Sequence, residues 1–107
     1  MNLSEIVKVL DLDEETCMEL VTLFYETTLS DLEKMESALK DGSAEGVTHA
    51  AHSIKGAAAN LELRDISDLA REVEMNSRQN ILDGIAESMA LLKGKLAAVE
   101  AILQEGG

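Results

Sequence analysis

Residues 50–61 have the sequence AAHSIKGAAANL, and this run predicts one continuous helix. A helix advances roughly 100° per residue, so each residue can be placed on a wheel relative to His52. The apolar residues lie roughly 120–180° away from His52 and are Val47, Ala50, Ile54, Ala57, Ala58 and Leu61. The face of His52 itself carries Thr48, Lys55, Gly56 and Ala59. The pattern therefore predicts an amphipathic helix that points His52 into water and buries its opposite side.

The rest of the chain has the same three- and four-residue apolar spacing, which is typical of helices. Short breaks at 11–13, 41–43 and 79–80 separate the segments, and Asp11, Asp13 and Ser43 are candidate N-caps. The predicted helices are a short lead-in over 4–10, then helices ending near Lys40, spanning 44–62, spanning 65–78 and spanning 81–104. Gly84 and Gly94 weaken the last helix, but its apolar stripe continues through both. We expect an all-α fold, an antiparallel up-down-up-down four-helix bundle with a short N-terminal helical lead-in, as one domain over residues 1–107.

Composition agrees with this fold class and excludes several partners. The chain of 107 residues has no Pro, 2% aromatic residues and a net charge of −12. This charge repels nucleic-acid backbones and anionic lipid surfaces. The N-terminus lacks the basic and apolar regions of a signal peptide, no apolar run is long enough to span a membrane, and Cys17 is the single cysteine. We expect Cys17 in the core and a cytoplasmic monomer.

His52 has the surroundings of a nucleophile that a second protein must reach. Neutral imidazole is a good nucleophile near pH 7, because the ordinary pKa of histidine is about 6.5. Lys55 lies one turn away on the same face and can stabilise the negative charge of a phosphoryl group. Gly56 and Ala59 remove side chains beside the imidazole. A partner's active site could then close around His52, and phosphoryl transfer depends mainly on such positioning and on charge.

The run from His52 to Leu61 resembles the signature of histidine-containing phosphotransfer (HPt) domains of bacterial phosphorelays, and 69–74 is similar to that family's next helix. The resemblance implies a carrier without kinase activity of its own. His52 would accept a phosphoryl group from one receiver-domain aspartate and pass it to another, with Lys55 and Gly56 as its family partners. It also implies response-regulator receivers and an upstream hybrid histidine kinase as partners. The carrier would have no cofactor of its own, and Mg²⁺ would come from the receiver.

Residues around this motif are candidates for docking. We expect Val47, Thr48, His49, Ala59 and Arg64 to frame or contact a receiver. The family usually has a second glycine ten residues after the histidine, where this chain has Glu62. On a helical wheel Glu62 lies roughly 80° to the side of His52, at the rim. An acidic side chain there is expected to alter docking or to repel the phosphoryl group.

Four other functions remain as alternatives. A non-catalytic helical adaptor would be insensitive to His52→Gln. A metal site could use Glu45, His49 and His52, but that face points outward, whereas metal sites in bundles use inward side chains. An autonomous kinase would need a glycine-rich phosphate loop, and a Ser/His/Asp hydrolase would need a nucleophile elbow. Neither motif is present in the sequence.

Overall fold

A computed structural model describes residues 2–106 of the chain, which form five helices. The helices are α1 (Leu3–Leu10), α2 (Glu14–Lys40), α3 (Ala44–Asn60), α4 (Arg64–Arg78) and α5 (Ile85–Gly106). The predicted lead-in and the four longer helices are therefore all present.

Polar side chains begin the first three helices. The carboxamide oxygen of Asn2 accepts the N–H of Glu5 at 2.9 Å and caps α1. Asp13 accepts the N–H of Thr16 at 2.7 Å, so Asp13 rather than Asp11 caps α2. Ser43 accepts the N–H of Gly46 at 3.1 Å and caps α3, as predicted. Each cap satisfies a backbone donor that has no partner within its own helix.

The ends of α2, α3 and α4 share one hydrogen-bond pattern, the Schellman motif. In each, a residue just past the helix adopts a left-handed conformation: Gly42 with φ 69°, Glu62 with φ 57° and Asn80 with φ 63°. The residue after it donates its N–H to a carbonyl five positions back. Glycine and asparagine suit this position, whereas glutamate does not. Because Glu62 adopts the left-handed conformation, α3 ends at Asn60. The prediction that α3 continues to Glu62 was wrong.

The last helix also begins later than predicted. Helix α5 starts at Ile85 rather than at 81, because two left-handed residues, Asn80 and Gly84, lie in the connection from α4. Ile81 completes the turn that ends α4 by donating its N–H to the Asn76 carbonyl. Gly84, with φ 81°, then offers its carbonyl to Ser88 as the first acceptor of α5. Gly94 remains inside α5, as predicted.

Helices α2–α5 form an antiparallel four-helix bundle. Each packs against its neighbours in the order α2, α3, α4, α5 and back to α2, and α1 packs against α2 and α5. The bundle measures 42 × 20 × 17 Å, and its long axis matches the 27 residues of α2 at about 1.5 Å per residue. No helix within residues 2–106 is both long and apolar enough to cross a membrane.

The core is aliphatic and, on α3, built from small side chains. Cys17 is fully buried, as predicted. Ala50, Ala51 and Ala58 are buried on α3, which lets neighbouring helices approach closely. A Cβ atom added to Gly46 would lie 2.7 Å from the Cβ of Ala38, so α2 nearly touches the α3 backbone there. This close packing places α3 firmly between α2 and α4.

Candidate functional site

His52 projects from the middle of α3 with 65% of its side chain exposed. The opposite side of α3 is buried, as the helical wheel predicted. Its buried residues are Val47, Ala50, Ala51, Ile54 and Ala58. The imidazole is therefore open to solvent and accessible to a second protein.

Beneath the imidazole lies a buried carboxylate that was not predicted as a site residue, Glu74 of α4. Its side chain is 3% exposed. Glu74 Oε2 lies 2.6 Å from His52 Nδ1, and Glu74 Oε1 accepts a hydrogen bond from Lys55 Nζ at 2.7 Å. Arg78 Nη2 donates to Oε2 at 3.0 Å. One carboxylate thus contacts all three basic side chains of the site.

The charge state of Glu74 determines the tautomer of His52. The hydrogen bond from Lys55 lowers the pKa of Glu74 below its ordinary value, the hydrogen bond from His52 lowers it further, and burial acts in the opposite direction. At neutral pH Glu74 is therefore ionised and can only accept hydrogen bonds. The proton in the contact with His52 must then lie on Nδ1. This leaves the lone pair of the imidazole on Nε2, the nitrogen that points away from Glu74.

Hydroxyl groups join α3 to its two neighbours near the site. Thr48 Oγ1 and Ser77 Oγ lie 2.7 Å apart between α3 and α4, and Ser67 Oγ donates to the Lys55 carbonyl at 3.3 Å. On the other side of α3, Ser53 Oγ donates to Oδ2 of the buried Asp31 of α2 at 2.6 Å. These contacts, together with the core, hold α3 in the rotation that presents His52.

The approach to His52 is open at Gly56. A Cβ atom added there would meet nothing within 4 Å, so the space beside the helix is free. Ala59, one turn further on, is exposed. Lys55 is 31% exposed, and its ammonium group is bound to the buried carboxylate of Glu74.

The predicted docking residues differ in accessibility. His49, Ala59 and Arg64 are exposed. His49 lies 3.6 Å from Glu45, whereas Arg64 forms no ion pair with any residue between 2 and 106. Thr48 is half-buried, and its hydroxyl donates to the Ala44 carbonyl. Val47 is fully buried, so its predicted place on the docking surface was wrong: it lies five residues before His52, on the core side of α3.

Glu62 does not lie at the helical rim where the wheel placed it. It follows the end of α3 in the left-handed turn described above, and its side chain is exposed. The preference for glycine at this position has a backbone explanation, because glycine adopts positive φ without steric cost. Glu62 is therefore unusual mainly because a glutamate adopts the left-handed conformation here.

Glu74 could have been found from the sequence. The inward stripe of α4 was predicted to contain Ile66, Leu69, Ala70 and Val73, and the next inward positions are 74 and 77. Both carry polar residues, Glu74 and Ser77, and both residues are buried. Polar side chains on a core stripe require partners, and such partners often form a functional site.

The face proposed for a metal ion is arranged differently. Glu45 and His49 form a solvent-exposed pair, while His52 contacts Glu74 instead. Among residues 2–106, no group of three or more His, Cys, Asp or Glu side chains is placed to hold a metal ion.

Known proteins that resemble this chain agree with its helical-bundle fold. The sequence profile of the family described as "Hpt domain" matches residues 19–102. Among solved structures, the chain is similar to histidine-containing phosphotransfer protein B (HptB) from Pseudomonas aeruginosa PAO1, with a TM-score of 0.82 and 22% identity. That alignment covers 96% of this chain and 87% of the other, which shows a common fold. None of the curated proteins compared with the chain matches it in sequence.

Proposed function

Because this chain belongs to the Hpt domain family, whose members are histidine phosphotransfer carriers, we propose that it carries a phosphoryl group on His52 between receiver domains. One observation carries the proposal. The exposed imidazole of His52 has its Nδ1 held by the buried carboxylate of Glu74, which leaves Nε2 free in solvent. A nucleophile for a docked partner needs this combination of orientation and access.

The chemical step begins when a phosphorylated receiver docks on the His52 face. The lone pair of Nε2 attacks phosphorus in line with the aspartyl phosphate. A P–N bond forms while the P–O bond to aspartate breaks, and the aspartate leaves as a carboxylate. The proton stays on Nδ1, so the ring becomes a phosphorylated imidazolium. Glu74, whose Oε2 lies 2.6 Å from Nδ1, stabilises the positive charge of the imidazolium. The reverse step passes the group to a second receiver.

Other residues contribute charge and space. Lys55 places an ammonium group beside the phosphorylated ring, and Gly56 leaves room for the receiver's active site. The receiver supplies Mg²⁺, which neutralises charge on the phosphoryl oxygens. Thr48, His49, Ala59, Glu62 and Arg64 are proposed to contact the receiver around this centre, and a hybrid histidine kinase is the proposed upstream source of phosphate.

Mixing the purified protein with a panel of phosphorylated receiver domains tests the proposal. We expect at least one receiver to transfer phosphate to this chain in an acid-labile, base-stable form, as expected for a phosphoramidate. His52→Gln should abolish that label. His49→Gln removes the only other histidine and should still accept the label, although the loss of its proposed receiver contact is expected to slow transfer. Transfer from no receiver in the panel, or an undiminished label in His52→Gln, would contradict the proposal.

A further inference from the structure

Arg78 stands on the opposite side of His52 from Lys55. It occupies the last turn of α4, and its Nη2 donates to Glu74 Oε2, the same oxygen that contacts His52 Nδ1. Lys55 instead binds the other oxygen, Oε1. The guanidinium and the imidazole therefore contact the same oxygen, Oε2 of Glu74. This places the guanidinium within reach of a group attached to the ring.

The charges of this cluster do not balance. One carboxylate, Glu74, contacts two permanently charged cations, Lys55 and Arg78. A single cation is enough to compensate Glu74, and the surplus positive charge occurs in a chain whose net charge is −12. A phosphoryl group carries roughly −1.5 to −2 charges and the ring becomes an imidazolium with one positive charge, so phosphorylation would cancel the local excess.

Arg78 is the cation that is easier to move. Its side chain is 66% exposed and lies 3.0 Å from Glu74, whereas Lys55 is 31% exposed and lies 2.7 Å away. If Arg78 moves away, the buried carboxylate of Glu74 still has Lys55 and His52 as partners. Arg78 also lines an open cleft of about 290 Å³ with Thr48, His49 and Ser77. The one carboxylate in that cleft, Glu45, lies 3.6 Å from His49 and forms no ion pair with Arg78 among residues 2–106.

From these contacts we propose that Arg78 is a second phosphoryl-binding residue: when His52 is phosphorylated, its guanidinium leaves Glu74 and binds the phosphoryl oxygens. This inference rests on the proposed function of His52. Lys55 remains on Oε1 of Glu74, while Oε2 stays beside Nδ1 of the phosphorylated ring. Arginine suits the role because its planar fork binds phosphate through two parallel hydrogen bonds.

The test uses phosphoramidate, a small phosphodonor, so that receiver docking plays no part. The full chain is phosphorylated, and the ³¹P resonance of phosphohistidine is followed as a function of pH. A cation bound to the phosphoryl oxygens lowers the pKa of the phosphoryl group. Arg78→Gln is therefore expected to raise that pKa by about 0.5 unit, roughly a threefold change in the ionisation constant. Arg78→Lys should give an intermediate value, because it retains charge without the fork.

Lys34→Gln is the matched control, since it removes one positive charge from an exposed position on α2, a helix that does not pack against α4. We expect the titration of Lys34→Gln to match that of the unmodified chain. An Arg78→Gln titration that also matches it, with the fold intact by circular dichroism, would overturn the role of Arg78. Failure of phosphoramidate to label His52 in the unmodified chain would instead count against the proposed function.

Discussion

At the scale of single residues, Glu74 is the side chain on which the proposed chemistry depends most after His52. It orients the imidazole, selects the proton on Nδ1 and holds Lys55. Glu74→Gln keeps the shape of the side chain but removes its charge, and the amide can offer either an oxygen or an NH₂ group to Nδ1. Transfer from a phosphorylated receiver is expected to slow by roughly tenfold or more, because the nucleophile loses its fixed geometry.

The tautomer of His52 in Glu74→Gln is a second measurement, and a purely structural role of Glu74 would leave it unchanged. Nitrogen-15 spectra of the imidazole should report a proton on Nδ1 in the unmodified chain and a mixture of tautomers in Glu74→Gln. Glu72→Gln, an exposed position on the same helix, is the control. Equal transfer rates and one unchanged tautomer in Glu74→Gln would contradict the positioning role.

Glu74 also predicts how stability responds to acid. Its pKa is lowered in the folded chain, so its ionised form stabilises the fold above the ordinary value of 4.5 and this contribution is lost as pH falls further. The difference in unfolding free energy between the unmodified chain and Glu74→Gln should therefore shrink below pH 4.5. Urea titrations of both proteins at several pH values measure it. Asp13, Glu36 and Asp65 also have lowered pKa values and affect both proteins alike. A difference that stays constant through the acidic range would exclude this role.

Local periodicity predicted which residues of α3 face water, because orientation around one helix needs no knowledge of its neighbours. His52, Gly56 and Ala59 are exposed as the wheel required. The inward stripe of α4 could have marked Glu74 as a polar core residue, but not its pairing with His52, which lies 22 positions away on another helix. Which helix meets which, and in what register, depends on tertiary packing that one amphipathic stripe does not determine.

At the scale of elements, the ends of helices depend on single backbone conformations. Three helices end in the same motif, and Glu62 has the least suitable residue type of the three left-handed positions. Glu62→Gly should raise the unfolding free energy by about 1 kcal/mol, because it removes the steric cost of positive φ for a side chain with a Cβ. Glu62→Ala retains the Cβ and should not stabilise the fold. Urea denaturation distinguishes them, and equal stabilities of the glycine and alanine variants would contradict the explanation.

Two helical glycines should respond oppositely to the same substitution. Gly46→Ala places a Cβ 2.7 Å from Ala38 and should destabilise the fold by about 1–3 kcal/mol, since the α2–α3 contact must open. Gly94→Ala meets nothing within 4 Å and should stabilise it by up to about 1 kcal/mol through helix propensity. Chemical denaturation of both variants measures the pair. A Gly46→Ala protein as stable as Gly94→Ala would mean that α2 and α3 are not in close contact.

At the scale of the whole molecule, apolar spacing predicted the number and order of the helices but not where each of them ends. Apolar stripes repeat over many residues, so single exceptions do not hide them. The start of α5 depended on two left-handed residues, Asn80 and Gly84, in a segment whose apolar spacing still resembled a helix. Bundle topology was predictable because the turns are short and neighbouring helices must then be antiparallel.

The net charge of −12 makes a prediction about the molecule as a whole. Folding brings 21 acidic residues together against 9 basic ones, so self-repulsion opposes the compact state. Salt screens this repulsion, with a Debye length of about 30 Å at 0.01 M and about 8 Å at 0.15 M. The melting temperature should therefore rise between these ionic strengths by roughly 4–8 °C if screening contributes about 1 kcal/mol.

A variant with less charge separates this effect from general salt effects on proteins. Glu19, Glu26 and Glu33 are exposed on α2 and form no ion pair with any residue between 2 and 106. Changing all three to glutamine should raise the melting temperature at low salt and reduce its dependence on NaCl. Calorimetry of both proteins across the salt series measures the two slopes. Equal slopes would contradict the prediction, because the two proteins have the same ion pairs and differ only in acidic charge.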